Sequence, residues 1–143
     1  MSDAPRRSIV PARRKARKRA VDILYEADMR GADTLQVLRD RITRAEPPIS
    51  EYTSLLVEGV VEHQAQIDEL ISGHAMDWTL DRMPPVDRNI VRVAVYELLW
   101  RDDIDTPVAI SEAVELAKSL STDNSPRFVN GLLGRLGERP TTP

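Results

Sequence analysis

Wherever apolar residues cluster along the chain, they return with a helical period. Over residues 13–30, Ala16, Ala20, Ile23, Leu24 and Ala27 share one face, and Gly31 follows as a stop signal. A shorter helix is predicted over 34–45, with Leu35, Leu38 and Ile42 facing inward and Pro47–Pro48 breaking it. Ser50 stands as the N-cap of a long helix over 51–72, in which Leu55, Leu56, Val60, Ile67, Leu70 and Ile71 are apolar and which Gly73 ends. Residues 79–83 predict a short helical turn before Pro84–Pro85. The segment PVDRNIVRVAVYELLWR, 85–101, is apolar on nearly all sides, as a central buried helix would be. Its Val91, Val93 and Val95 also alternate as a strand would, but the uninterrupted length and the ELLW ending favour helix. Pro107 opens another helix to about 120, carrying Val108, Ala109, Ala113, Val114, Leu116 and Ala117. Ser125–Pro126 reads as N-cap and first-turn proline of a last helix, FVNGLLGRL, ending near 136. No segment pairs as a hairpin and no repeat is visible. The pattern predicts a single all-α domain of six or seven helices over 13–137, with a disordered basic arm at 1–12 and a tail at 138–143.

Charge changes this picture at one place. Residues 13–19 read RRKARKR, in a chain of 143 residues with net charge −3. The first 19 residues carry +7 and the remainder −10, so a polyanionic partner is expected for the basic part: nucleic acid or an anionic membrane surface. Cations in the first turn of a helix oppose its dipole, and such a broken local rule points to function. If the helix begins at this run, its free N–H groups and the arginines both favour phosphate. Arg14, Lys18, Val21 and Tyr25 fall on one stripe at i, i+4, i+7 and i+11, at the edge of the apolar face. Tyr25 is placed either to stack on an unpaired base beside phosphate-holding cations or to lie at the core margin with its hydroxyl in water. DNSPRFVNG offers a second basic helix start, with Asn124, Ser125, Arg127 and the single phenylalanine, Phe128, which serves either as a capping sequence or as a further RNA contact.

Other chemistry finds little support. The absence of cysteine removes disulfides, zinc–thiolate clusters and thiol nucleophiles, and suits a reducing cytoplasm. No phosphate loop, GxSxG or HExxH occurs, His63 and His74 stand apart, and Asp102–Asp103 reads as a solvated turn. No cofactor and no enzymatic activity are expected. No apolar run approaches the length of a membrane span, and no secretory h-region follows the N-terminal charges.

Three blocks then carry a family resemblance. PVAISEAVELAKSLSTDNSPRFVNGLLG (107–134), VDRNIVRVAVYEL (86–98) and ARRKARKRAVDILYEAD (12–28) resemble the characteristic blocks of the NusB family of bacterial transcription antitermination factors, over about residues 12–136. The resemblance implies two small helical bundles packed roughly perpendicular. It implies binding of the boxA element of ribosomal RNA leader transcripts, usually together with the ribosomal protein NusE, so that RNA polymerase reads through terminators in ribosomal RNA operons. On these blocks the family's RNA contacts fall on Arg13, Arg14, Arg17 and Tyr25, and on Asn124, Ser125, Arg127 and Phe128; relatives often have Asp where this chain has Asn124. Lys18 joins them from the stripe. The family's NusE surface includes the start of the 86–101 helix, here Asp87 and Arg88. Residues 77–105 hold seven acids, Asp77 among them, against four arginines, a sign suited to a basic ribosomal protein. Some members form homodimers that cover part of the RNA surface. Two alternatives stand beside this reading: a stand-alone RNA-binding domain related to those of certain ribosomal RNA methyltransferases, and a helical interaction module without RNA specificity. Docking on an anionic membrane is disfavoured, since residues 13–19 supply only Ala16 as an apolar anchor.

Overall fold

The computed structural model of the chain describes residues 4–44, 48–75 and 79–138, with side chains from Pro11 onward. Pro47, Asp77 and the tail beyond 138 lie outside the described residues. Secondary structure among the described residues is helical throughout: α1 (Ala4–Arg30), α2 (Thr34–Arg44), α3 (Glu51–His74), a short 3₁₀ turn (Leu80–Arg82), α4 (Pro85–Trp100), α5 (Thr106–Leu120) and α6 (Ser125–Gly137). The strand-like alternation in 91–95 is overridden because α4 packs against α1, α3, α5 and α6. Ile90, Val91, Val93, Ala94 and Val95 are all buried, as in a helix surrounded by others. α4 thus joins a group formed with α1, α2 and α3 to a second one formed with α5 and α6.

The α1 core face is as its spacing predicts, with Ala16, Ala20, Ile23, Leu24 and Ala27 buried. Gly31 ends the helix at φ +61°, a conformation that costs glycine little, and Ala32 N donates back to Ala27 O at 2.9 Å. Ser50 caps α3 by accepting from Thr53 N at 3.1 Å. Several boundaries and faces differ from expectation. α1 is helical from Ala4, so residues 4–12 extend the helix where a disordered arm was expected; Pro5 is well placed in a first turn and Pro11 is accommodated within. α3 continues past Gly73 to His74, and Ala75 N closes on Ile71 O. On α2, Val37 and Leu38 are buried, whereas Ile42 is 46% exposed because the helix turns that end outward. Val108 is likewise exposed.

Polar residues inside the core are tied in pairs. Arg92 donates from Nε and Nη2 to Asp68, at 2.9 and 3.0 Å, and from Nη1 to Asp28 and Asn89. Asp28 also accepts from Arg88 Nε at 2.9 Å and Asn89 Nδ2 at 3.0 Å, which fixes the end of α1 on the start of α4. Burial would raise the Asp28 pKa, but the bonds from Arg88 and Asn89 and the nearby arginine charges outweigh it and hold the carboxyl below its ordinary range.

Two tests of stability follow from this packing. An ideal Cβ on Gly59 would come within 2.2 Å of the Tyr96 ring, so Gly59→Ala is expected to cost about 1–3 kcal/mol in urea unfolding. A carboxyl whose folded pKa is depressed adds stability above its unfolded pKa and loses it as pH falls through the folded one. Asp28→Asn should therefore lose stability near neutral pH and show a flatter decline below about pH 4, measured by unfolding at stepped pH.

Candidate nucleic-acid interface

The basic run does not start a helix. Because α1 begins at Ala4, residues 13–19 occupy its middle, where backbone N–H groups are already bonded within the helix. Any anion held there is held by side chains, and the helical period divides those into two sets.

One set turns toward the protein. Arg17 is 4% exposed; its Nε donates to both oxygens of Glu97, at 2.9 and 3.0 Å, and its Nη1 to Glu112 at 3.4 Å. Tyr52 donates its hydroxyl to the same Glu97 carboxylate, and Thr53 Oγ1 donates to Ala16 O at 3.3 Å. Burial works against the Arg17 charge, but the hydrogen bond and charge of Glu97 prevail and hold its pKa above the ordinary arginine value. Burial next to Glu97 likewise pushes the Tyr52 phenol up. Arg14 Nε donates to both oxygens of Glu112 at 3.0 Å. Arg13 donates to Asp103 at 3.1 Å and lies 4.5 Å over the Tyr52 ring. Asp103, expected in a solvated turn, also accepts from Arg101, and these two arginines overcome burial to lower its pKa.

The other set faces outward. Lys15, Lys18, Arg19, Val21, Asp22 and Tyr25 line a groove of about 420 Å³ whose far wall is Val86 at the start of α4 and Leu120 at the end of α5. Lys15 and Lys18 are exposed and have no hydrogen-bond or ion-pair partner among the described residues. Tyr25 is half-exposed, with an apolar floor beside it and cations a turn or more before it. A floor that accepts a flat ring and a rim that accepts phosphates suit a single strand of nucleic acid.

The second basic helix start lies close to this groove without lining it. Asp87 is fully buried and accepts from Ser121 and, at 2.7 Å, from Ser125 Oγ. That ties the turn before α6 to α4 beside Val86. Ser125 is not the N-cap; its hydroxyl is spent on Asp87, it is 1% exposed, and Asn124 occupies the cap position with no side-chain cap bond. Phe128 packs half-buried against the core, while Asn124 and Arg127 are exposed.

The nominated residues are thereby sorted. Lys18 and Tyr25 line the groove, and Asn124 and Arg127 stand exposed near its end. Arg13 and Arg14 are engaged by carboxylates, and Arg17 and Ser125 are buried in structural networks that a nucleic acid does not reach. Of Asp87 and Arg88, expected to meet a protein partner, Asp87 is fully buried and is corrected, whereas Arg88 is partly exposed. Asp87 is sealed under the α5–α6 turn. Arg88 donates to Asp28 and, at 3.1 Å, to Leu80 O. Lys15 and Arg19 were not singled out in the sequence, although they share a stripe at i, i+4 beside that of Arg14 and Lys18. Glu97 carried a signal as well, since an acid inside an apolar run must find a cation. His63 stacks on Trp100 at 4.2 Å between ring centroids, and His74 Nδ1 lies 2.9 Å from Leu70 O.

Fold and groove together define an all-helical protein with a cation-rimmed, apolar-floored surface groove. The NusB family model matches residues 14–138, and the chain belongs to that family. It is 58% identical over 131 residues to the transcription antitermination protein NusB of Kineococcus radiotolerans, covering 92% of this chain and 96% of that protein. It is 59% identical over 135 residues to the protein of the same name from Salinispora tropica, covering 92% and 99%. The structure of T. maritima NusB superposes with a TM-score of 0.81 at 35% identity, over 91% of this chain and 93% of that one. A crystal structure of antitermination factors NusB and NusE in complex with dsRNA contains a chain similar at TM-score 0.79 and 27% identity, over 90% and 98%. No described helix is long and apolar enough to cross a membrane.

Removing one partner of a buried ion pair strands the other charge, at a cost of about 3–5 kcal/mol. Arg17→Met should therefore lose about that much stability, whereas Arg17→Met with Glu97→Leu should recover most of it, both read by urea unfolding. A single variant as stable as wild type would mean the pair contributes nothing.

Proposed function

We propose that this protein is a transcription antitermination factor that binds the single-stranded boxA element of ribosomal RNA leader transcripts together with the ribosomal protein NusE, in the cytoplasm, and so promotes readthrough of ribosomal RNA operons by RNA polymerase. The observation that carries the RNA reading is the groove in which two unpaired lysines and Arg19 rim an apolar floor beside Tyr25. Lys15 and Lys18 meet backbone phosphates, Tyr25 stacks on a base, and Asn124 and Arg127 extend the surface past the α6 start. Family membership supports the target element and the NusE partnership; Asp87, fully buried, offers that partner no surface, while the partly exposed Arg88 beside it remains part of the proposed contact. No catalytic step belongs to this reading.

Titrating boxA RNA, a scrambled strand and a duplex into the protein over a range of salt concentrations tests it. Lys18→Ala should weaken binding to every strand and flatten the salt dependence by roughly 0.7 slope units per lost phosphate contact. Tyr25→Ala should cost about 1–3 kcal/mol with little change in slope. Unchanged affinity in both variants, with circular dichroism intact, would remove the groove from the RNA surface.

A further inference from the structure

Glu112 stands where the inward and outward halves of the basic run meet. Its side chain is 10% exposed, and both of its oxygens are taken by Arg14, whose side chain is 58% exposed. Its Oε1 also accepts from the buried Arg17. A second groove of about 280 Å³ opens between α1 and α5 at this point, with Arg14, Lys15 and Lys18 on one wall and Glu112 and Glu115 on the other. Cations and carboxylates face each other across it, so the free protein already compensates its own charge there. Lys118 adds to this by pairing with Glu115 at 3.1 Å. Only the Nε of Arg14 is engaged, so a phosphate that takes its Nη groups meets a guanidinium already neutralised by Glu112 and sets a second anion beside that nearly buried carboxylate. A phosphate that takes Lys15 or Lys18 from the Tyr25 side displaces no bond within the protein.

We propose that Glu112 is a positioning residue for RNA, withholding Arg14 from phosphate and, with Glu115, turning the strand from the α1–α5 groove onto the side of Lys15, Lys18 and Tyr25. This rests on the RNA-binding reading above and adds to it the path of the strand. Arg14 is a strut in the wild-type protein, and loss of the Glu112 charge converts it into a phosphate ligand. Glu112→Gln keeps the size of the side chain and an acceptor for Arg17 while removing the charge that holds Arg14.

The test is a double-mutant cycle on boxA RNA with a salt series for each protein: wild type, Glu112→Gln, Arg14→Ala and the double variant. Arg14→Ala alone should bind within about twofold of wild type at an unchanged slope, whereas Glu112→Gln should bind several-fold tighter with a slope steeper by about 0.7, one added phosphate contact. Adding Arg14→Ala to Glu112→Gln should abolish both gains, and Glu112→Asp, which retains the charge, should behave as wild type. Mere loosening of the fold would lower the melting temperature without steepening the slope. An Arg14→Ala variant that loses a slope unit in the wild-type background overturns the proposal, and this readout does not depend on how well Glu112→Gln folds. A Glu112→Gln variant with wild-type slope overturns it too. Wild-type protein that fails to bind RNA at any salt concentration removes the functional reading itself, and the positioning role with it.

Discussion

Burying a charge is affordable only where a partner and its remaining hydrogen bonds are supplied, and this constraint organises the molecule around Arg17 and Glu97. Three helices have to agree for the pair to form. α1 delivers the guanidinium, α4 the carboxylate, and α3 the Tyr52 hydroxyl that occupies the same carboxylate. α5 adds Glu112 on the other side of Arg17. Such a cluster contributes little net stability over an apolar packing of the same volume, yet any register in which a member is missing leaves a stranded charge. The ion pair therefore discriminates among arrangements of α1 on the bundle, while the apolar face of Ala16, Ala20, Ile23 and Leu24 supplies the attraction.

Fixing α1 in that register also decides which cations remain for a ligand. Within RRKARKR the positions paired with carboxylates are Arg13, Arg14 and Arg17, and the exposed, unpaired ones are Lys15 and Lys18. The residue types match the two tasks. A planar guanidinium presents donors in a fixed fork and engages a carboxylate with two bonds in a desolvated place, whereas an ammonium is a compact, strongly hydrated charge on a flexible stem. Arg14 and Arg17 each share their Nε–H between both oxygens of a carboxylate, Arg17 in a buried place, and the lysines stay solvated at the rim. Structural and ligand-facing charge thus come from one short stretch, separated by a rotation of about 100° per residue.

Helix existence was legible because the apolar period is strong, and the caps at Ser50 and Gly31 were legible because each answers a backbone need that few residues meet. What periodicity did not supply was the start of α1 at Ala4, since Pro5 and Pro11 read as breaks although Ile9 and Ala12 continue the spacing of Ala16 and Ala20. That omission placed the basic run at a helix terminus and gave it dipole chemistry that it does not have. The site was half legible for a related reason. Tyr25 and Lys18 were found from their stripe, but a stripe of cations reads the same whether its charges face water or a buried acid. Glu97, Glu112 and Asp103 lie 80, 98 and 90 residues from the arginines that they hold, and no local pattern links them. Asp87 failed in the same way, because an acid in the first turn of a helix looks like a dipole-favoured surface residue until Ser121 and Ser125 close over it.

A chain of net charge −3 that binds a polyanion must do so locally. At physiological ionic strength, interactions between exposed charges fade over about 8 Å, so apart from Asp22, which lines the groove and pairs with Arg41, the −10 beyond residue 19 contributes little there while Lys15, Lys18 and Arg19 act directly. The same screening explains why internal compensation matters more than the total. Asp103 and Glu112 compensate Arg13 and Arg14 by direct contact, at 3.1 and 3.0 Å. In the proposed mode of binding, affinity depends on a few charges and one stacking ring rather than on the whole basic run. That proposed mode would favour a short strand with exposed bases over a long uniform duplex, because affinity drawn from few phosphates leaves a larger share to a base stacked on Tyr25.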